Sequence, residues 1–170
     1  MSKPMPTQHE RVMKDDDFIV SKTDLNGHIT YCNEIFMQMA NMSEEQLLGK
    51  PHSIVRHPDM PKAVFKLLWD YVKSGKEIFA YVKNLSADGG YYWVYANVTP
   101  SYDHSGNIIG YYSVRIKPSQ KALDIIKPLY EKMLSIENSQ GVDASIDYLT
   151  NLLKEKGVSS YDEFIIQIQD

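Results

Sequence analysis

Apolar residues change their spacing along the chain, and these changes predict the order of its elements. Two short apolar runs flank an Asn-Gly turn, which is typical of a β-hairpin. Helical spacing then predicts two short helices and a longer one, and three runs with strand character predict an antiparallel meander. In chain order the predicted elements span residues 18–23, 28–32, 33–40, 43–48, 61–74, 78–85, 91–99 and 108–116. Five strands in an antiparallel sheet with helices on one face make an α+β domain of about 100 residues.

Polar residues at the expected helix starts supply caps for backbone amides. Asn33 is placed to cap the first short helix, and Ser43 opens the capping-box pattern Ser-Glu-Glu-Gln of the second. Asp59 lies just ahead of the longer helix, where an aspartate N-cap stabilises a helix by roughly 1 kcal/mol. Ser160 opens another capping box, Ser-Tyr-Asp-Glu, near the end of the chain. These caps support the helix boundaries that the apolar spacing predicts.

The two ends of the chain differ from its centre. Residues 1–16 carry prolines and polar groups but few large apolar side chains, so we predict a loose N-terminal arm. The folded domain is predicted at residues 17–117, with a helical extension at residues 118–170. A domain of this class encloses a cavity for one small ligand between its sheet and its helices.

The extension shows three amphipathic patterns beyond Pro118. They predict helices at about residues 120–137, 143–156 and 160–168, with Pro128 breaking or restarting the first. The sequence leaves two uses open for these helices, which are packing on the domain and docking of a partner.

Composition narrows the class of protein. The net charge of −4 does not favour binding to nucleic acid, because a nucleic-acid-binding protein is expected to show a basic face. The single cysteine, Cys32, excludes an internal disulfide and suits a reducing compartment. No apolar run reaches the roughly 18 residues that span a bilayer, and the first residues lack the apolar core of a signal peptide. We therefore predict a cytoplasmic protein without a membrane span.

The ten residues 52–61, His-Ser-Ile-Val-Arg-His-Pro-Asp-Met-Pro, gather polar groups in the middle of the domain. Arg56 is the strongest chemical candidate, because a guanidinium binds phosphate oxygens bidentately and stays charged when partly buried. The alternative is a surface arginine paired with a carboxylate. His57 precedes a proline and is expected in extended backbone, where its ring either contacts a ligand or is structural. Asp59 can cap the helix and still orient both of these residues.

The sequence also bears on metal, haem, catalytic and light-sensing sites. His52 and His57 are five apart, a poor spacing for a shared metal site, and no Cys or His cluster favours zinc. Haem remains open, because one histidine can bind its iron. Neither a Ser-His-Asp order nor a phosphate loop is present, so we predict no enzyme. Cys32 is not placed like a photoreactive cysteine, so we predict no light sensor.

Several short sequence motifs in the chain resemble those of the PAS family and, within it, those of the Aer-type energy-taxis (aerotaxis) redox sensors. The resemblance covers roughly residues 17–117, and Val-Arg-His-Pro-Asp-Met-Pro-Lys at residues 55–62 is highly specific to that subfamily. The tail also resembles the small soluble CetB-type proteins, which carry one PAS domain and work with a separate membrane transducer. The other residues that carry the resemblance are 23–25, 29–33, 49–52, 82–84, 92–94, 96–97, 110–111 and 113–115.

The resemblance implies a PAS fold that holds FAD non-covalently in its cavity. Asn84 is expected to face the flavin ring, where an amide can both donate and accept hydrogen bonds as the ring changes its protonation. By default Trp69 is a core residue, and the resemblance adds it to the site. The predicted cofactor-binding residues are His52, Arg56, His57, Asp59, Asn84, Trp69, Val94 and Ala96. The chain departs from the family pattern at Ile78, where a tryptophan is usual, and at Ala80, where a glycine is usual.

The implied function is redox sensing without catalysis. The flavin would follow electron transport, and the chain would signal to a separate membrane-bound methyl-accepting chemotaxis-type transducer, through which it would reach the membrane. The sequence leaves open whether the chain forms a homodimer. Two alternatives come from other classes, which are a haem-binding gas sensor and a cofactor-free PAS adaptor that only mediates protein contacts.

Overall fold

The strands and helices follow the predicted order. The computed structural model describes residues 2–170, in which the chain forms five β-strands and six α-helices. The strands are β1 (Ile19–Thr23), β2 (Ile29–Cys32), β3 (Ile78–Leu85), β4 (Tyr91–Tyr102) and β5 (Ile108–Ile116). The helices are α1 (Glu34–Ala40), α2 (Glu44–Leu47), α3 (Lys62–Lys73), α4 (Gln120–Gln140), α5 (Val142–Glu155) and α6 (Tyr161–Gln169). A short 3₁₀ helix, His52–Val55, lies between α2 and α3.

The strands form one antiparallel sheet in the order β2-β1-β5-β4-β3. The last three strands make the predicted meander, in which Ala80 of β3 lies opposite Ala96 of β4 and Asn84 opposite Tyr92. Because side chains alternate across a strand, these four residues share one face of the sheet. The predicted α+β fold is confirmed.

The sheet has a covered inner face and a second layer on the opposite face. Helices α1 and α3 contact the strands on the inner side, where Ala80 and Val94 are fully buried. On the outer face the Trp93 ring packs beside the Tyr130 ring of α4, with ring centroids 6.1 Å apart. At Tyr130, helix α4 therefore packs on the face of the sheet opposite the cavity.

The N-terminal arm is docked along β4, so the prediction of a loose arm is wrong. The Arg11 amide donates to the Tyr91 carbonyl at 2.8 Å, and the Tyr91 amide donates to the His9 carbonyl at 2.9 Å. The Arg11 guanidinium also forms a bidentate pair with Asp88 in the β3–β4 turn. Met13 is 2% exposed and joins the core. These backbone pairs join residues some 80 positions apart, which composition alone does not reveal.

Helix α3 begins later than predicted, and Asp59 does not cap it. The N-cap position is occupied by Pro61, which provides no side-chain hydrogen bond. The residue before a proline is disfavoured in helical backbone, so Met60 cannot continue a helix from Asp59. The Glu137 carboxylate of α4 takes the capping role instead and accepts from the amides of Lys62 and Ala63, at 2.8 and 3.0 Å.

Helix α4 continues through Pro128, so the predicted break is wrong. Proline removes one intrahelical hydrogen bond and crowds the preceding turn. Side chains on both sides of Pro128 are buried against the domain, and burial stabilises by about 1.5–3 kcal/mol per large apolar side chain, which offsets that cost. The side chains concerned are Ile126, Leu129, Tyr130 and Met133.

The capping boxes differ in their outcome. Ser43 and Gln46 form the complete predicted box at the start of α2. At α6 only half of the box is present, because Ser160 accepts from the Glu163 amide whereas the Glu163 carboxylate binds Ser159. The prediction of a second full box is therefore wrong.

The C-terminal helices pack on the domain. The Tyr130 hydroxyl of α4 donates to the Tyr81 carbonyl at 2.7 Å, and the Tyr81 hydroxyl donates to Gln169 of α6 at 2.7 Å. Helix α5 contacts α3, where Lys66 pairs with Asp143 at 3.2 Å. Of the two uses that the sequence left open for these helices, packing on the domain is the one that the structure contains.

Candidate functional site

A cavity of about 340 Å³ lies between the inner face of the sheet and helix α3. This volume is at the lower end of the range for small-molecule sites, about 300–1,000 Å³. Its walls come from β1, β3, β4, β5, the β1–β2 turn, the 3₁₀ helix and α3. The lining residues are Ser21, Thr23, Asn26, Gly27, Pro51, His52, Ser53, Arg56, Phe65, Leu68, Trp69, Val72, Val82, Asn84, Ala96, Val98, Tyr111, Ser113 and Arg115. This lining, drawn from residues 2–170, includes two arginines and no carboxylate.

The focal stretch is laid against the edge of the sheet by local backbone geometry. The His52 amide donates to the Gly27 carbonyl at 2.9 Å, which ties the 3₁₀ helix to the β1–β2 turn. Arg56 then pairs with Asn84 as an isolated antiparallel bridge at the outer edge of β3. This pairing brings Arg56 and Asn84 to the same cavity wall.

A polar cluster of His52, Ser21 and Arg115 occupies the inner part of the cavity wall. Arg115 Nη1 lies 3.0 Å from His52 Nε2, and Arg115 Nη2 donates to Ser21 Oγ at 2.9 Å. Because a guanidinium only donates, His52 Nε2 must accept, and the ring proton is then on Nδ1. Burial, together with the charge of Arg115, lowers the pKa of His52 to about 3. His52 is therefore neutral at physiological pH.

Arg56 is held in place by stacking and by its backbone. Its guanidinium carbon lies 3.8 Å from the centroid of the Phe65 ring, and Lys3 Nζ donates to its carbonyl at 2.9 Å. Its Nε is buried without a hydrogen-bond partner in the described residues, and burial lowers the pKa of the guanidinium below its ordinary value. The Arg56 guanidinium therefore lines the cavity while its Nε is buried without a partner.

Trp69, Asn84 and Ala96 also reach the cavity wall. Trp69 of α3 packs edge-on against Tyr111, with ring centroids 5.3 Å apart. Gly27 has a φ of +82° and lies so close to the Trp69 ring that a Cβ would come within 3.3 Å of it. Asn84 is 5% exposed and carries an amide on the inner face of β3, which is otherwise apolar. Five of the eight predicted residues are thus brought together.

The other three predicted residues do not line the cavity. His57 is 3% exposed, and its Nδ1 accepts from the Asp59 amide at 3.0 Å on the side of Tyr91. The Asp59 side chain is 60% exposed and pairs with Lys83 at 3.0 Å. Val94 lies on the inner face of the sheet but is fully buried by packing. His57 points away because successive residues of an extended segment alternate, and Arg56 takes the inward position.

Arg115 and Ser21 line the cavity, although the sequence analysis assigned them no role. Both lie on inward positions of their strands, and Arg115 shares its face with Tyr111 and Ser113. The signal was the charged residue in a period-two series on a strand in the middle of the sheet. Charged groups in such positions are almost never fully buried unless they are paired.

Residues 2–170 contain no group of three or more His, Cys, Asp or Glu side chains arranged to hold a metal ion. None of the helices in the same range combines the length and apolar character that crossing a bilayer requires.

Comparisons with known proteins agree with the fold. The PAS-fold family profile matches residues 29–115. The aerotaxis receptor of Escherichia coli (strain K12) is 39% identical over 132 residues, which are 78% of this chain and 26% of that protein. Phototropin-2 of Oryza sativa subsp. japonica is 28% identical over 104 residues, 61% of this chain and 12% of that protein. The chain thus spans about a quarter or less of the curated relatives it matches.

A solved structure with a similar fold is the light state of the blue-light photoreceptor Aureochrome1 LOV. It superposes with a TM-score of 0.57 at 24% identity, covering 67% of this chain and 90% of that one. The family profile spans over half of the chain and includes the β2–β5 sheet, the 3₁₀ helix and the cavity helix α3. The chain therefore belongs to the PAS family.

Proposed function

We propose that this PAS domain binds FAD non-covalently in the cavity and acts as a redox sensor for energy taxis. The observation that carries the proposal is the lining of the cavity, which combines apolar walls, two arginines and no carboxylate. A cavity of this kind suits a flat ring joined to anionic groups. The similarity to a protein named aerotaxis receptor, at 39% identity over most of the chain, supports the same direction.

The residues of the cavity fit the parts of FAD. Arg56 is partly exposed on the cavity wall, and its fork of donors suits the oxygens of a diphosphate. Trp69, Val82 and Ala96 supply apolar walls that exclude water from the ring. When bound, FAD supplies a ring that accepts and returns electrons reversibly. Asn84 can then donate to or accept from a ring nitrogen as its protonation changes.

His57 and Asp59 have an indirect role in this proposal. The bond between them closes the turn that follows Arg56, and Lys83 of β3 anchors Asp59. They thereby hold Arg56 in its position on the cavity wall, and Val94 supports the sheet beneath the ring. In this proposal, five of the eight predicted cofactor-binding residues would contact the ligand, and the other three would support them.

The proposed output is a contact with a separate membrane-bound methyl-accepting chemotaxis-type transducer. The chain would sense and not catalyse, in a cytoplasmic setting. The names of its relatives, a receptor and a nitrogen fixation regulatory protein of Klebsiella pneumoniae, support a regulatory role. A homodimer is compatible with this proposal.

Three alternative functions have less support from the geometry of the cavity. His52 is the histidine of the cavity wall, and its accepting Nε2 is bonded to Arg115, so haem iron would have to displace a guanidinium. The single cysteine, Cys32, is buried in β2 and does not line the cavity, so a thiol is not in place for photochemistry. A cofactor-free adaptor would leave two arginines without a function in the cavity.

Replacing Arg56 tests the cofactor part of the proposal. We expect Arg56→Ala to purify with at least about tenfold less bound FAD, because charge-assisted hydrogen bonds to the diphosphate contribute about 1.5–3 kcal/mol. The matched control is Lys50→Ala, which removes an exposed cation just before the same stretch. Wild-type FAD content in a folded Arg56→Ala protein would contradict the assignment of the diphosphate to Arg56.

A further inference from the structure

Arg115 is buried in the sheet without an acidic partner. The side chain is 4% exposed on the inner face of β5. It contacts His52 Nε2, Ser21 Oγ and the face of the Phe36 ring, whose centroid is 4.8 Å from the guanidinium carbon. Its Nε is buried and has no hydrogen-bond partner within residues 2–170. None of these contacts supplies a negative charge.

A buried cation without a counter-charge is costly to the folded protein. Isolated charges lose far more hydration than hydrogen bonds to neutral groups return. Burial lowers the pKa of Arg115 to about 10, so the guanidinium is still charged near pH 7. His52 cannot neutralise it, since a histidine is either neutral or positive. The arrangement is therefore complete only with an electron-rich or anionic group in the cavity.

Arg115 and Arg56 occupy different depths of the same cavity. Arg56 is partly exposed on the 3₁₀ side, whereas Arg115 is enclosed by β1, the 3₁₀ helix and α1. A diphosphate is bulky and strongly hydrated, so it suits the partly exposed arginine. The enclosed arginine is left for the flat ring that the apolar walls receive.

We propose that Arg115 is a ligand-binding residue that contacts the ring of the bound cofactor and favours negative charge on it. This inference rests on the proposed flavin-binding function and adds a residue that favours the reduced, negatively charged ring. A flavin ring that takes up two electrons and one proton from a reductant becomes a monoanion, and a second proton would make it neutral. The charge of Arg115 favours the monoanion, and so it makes the ring easier to reduce.

The experiment compares variants of the full chain with two ligands that share a ring. Riboflavin carries the ring without phosphate, and FAD carries both. We expect Arg115→Met to weaken the binding of riboflavin and FAD by a similar factor of about tenfold or more. Arg56→Gln should weaken the binding of FAD and leave the affinity for riboflavin close to that of the wild type. Arg115→Lys, which keeps the charge, should recover part of the lost affinity.

A second readout separates a ligand contact from a structural role. With FAD bound, equilibration with a redox dye under dithionite should give a lower reduction potential for Arg115→Met than for wild type, with Arg115→Lys in between. Without ligand, Arg115→Met should melt at or above the wild-type temperature, because an unpaired buried charge has been removed.

Three outcomes would overturn the inference. They are wild-type riboflavin affinity in Arg115→Met, an unchanged reduction potential in that variant, and a ligand-free Arg115→Met protein that fails to fold. Failure of the proposed function is distinct, because the wild-type protein itself would then bind neither riboflavin nor FAD.

Discussion

Two histidines in the focal stretch are kept neutral by their surroundings. Burial, with the charge of Arg115, lowers the pKa of His52 to about 3, and burial, with the charge of Lys83, lowers the pKa of His57 to about 4. Each imidazole uses one ring nitrogen as an acceptor, toward Arg115 and toward the Asp59 amide. Protonation would remove the acceptor and place a cation beside another cation.

These lowered pKa values predict a dependence of stability on pH. In the unfolded chain a histidine titrates near pH 6.5, so between that pH and the folded pKa the unfolded state binds more protons. The contribution of His52 to stability is therefore present above about pH 6.5 and is lost as the pH falls below it. We expect His52→Asn to make the free energy of unfolding depend less steeply on pH between about pH 4.5 and 6.5. The slope should fall by at most about 1.4 kcal/mol per pH unit.

Urea unfolding of ligand-free protein at several pH values measures this slope. The matched control is His104→Asn, which makes the same substitution in the exposed β4–β5 turn. Equal slopes in His52→Asn and wild type would show that His52 does not resist protonation in the folded protein.

Asn84 is the residue that we expect to answer a change in the ring. Its backbone pairs with Arg56, and its strand leads through the β3–β4 turn to Tyr92, which lies opposite it. One buried hydrogen bond is worth roughly 1 kcal/mol, which changes a two-state ratio about fivefold. Asn84→Leu should still bind flavin but lose the difference in proteolysis between oxidised and reduced protein. Asn138→Leu, on an exposed part of α4, is the control. If Asn84→Leu kept the full wild-type difference in proteolysis, Asn84 would not be the switch residue.

At the residue scale, the sequence predicted some side chains of the cavity and missed others. Arg56 was predicted from the chemistry of its guanidinium and Asn84 from the resemblance to the PAS family, and both line the cavity. His57 could not be separated from Arg56, because the direction of each depends on a bridge to a strand 28 residues away. Arg115 was missed because its partners, Ser21 and His52, are 94 and 63 residues away.

At the scale of elements, the start of α3 connects the cavity to the extension. Helix α3 supplies Phe65, Leu68, Trp69 and Val72 to the cavity wall. Its first amides bond to Glu137 of α4, since Pro61 offers no side-chain cap. A shift of α3 on ligand binding would therefore change its hydrogen bonds to the Glu137 carboxylate of α4.

Removing the Glu137 cap should loosen this connection. We expect Glu137→Ala to lower the free energy of unfolding by about 1 kcal/mol, because two helix amides lose their acceptor. Glu137→Gln retains one acceptor oxygen and should lose less. Chemical denaturation of both variants, beside the exposed Glu131→Ala on the same helix, measures the effect. If Glu137→Ala were as stable as Glu131→Ala, the carboxylate would contribute nothing to α3.

The elements themselves were largely predictable, whereas their long-range contacts were not. Apolar spacing and turn residues located the strands and the helices, since these signals are local. The incomplete capping box at Ser160 is a local error, because the Glu163 carboxylate binds the neighbouring Ser159 instead. The other wrong predictions about elements concern Asp59, Pro128 and the N-terminal arm. In each case a distant part of the chain decides the outcome, namely Glu137, the packing of α4 and the pairing of the arm with β4.

At the scale of the whole molecule, arm, domain and extension enclose the sheet from both sides. Lys3 of the arm bonds to the Arg56 carbonyl, and Glu137 of the extension caps α3, so both ends of the chain contact elements that form the cavity. A ligand that shifted Arg56 or α3 would therefore also change a contact with one end of the chain.

The most direct test is the absorption spectrum of freshly purified protein, followed by chromatography of the released cofactor. We expect a yellow protein with a flavin spectrum that bleaches on reduction and returns in air, and we expect FAD as the released compound. A Soret band would indicate haem. A colourless protein that stays colourless after incubation with FAD would indicate an adaptor. Either of these results would contradict the proposal that this PAS domain is an FAD-based redox sensor.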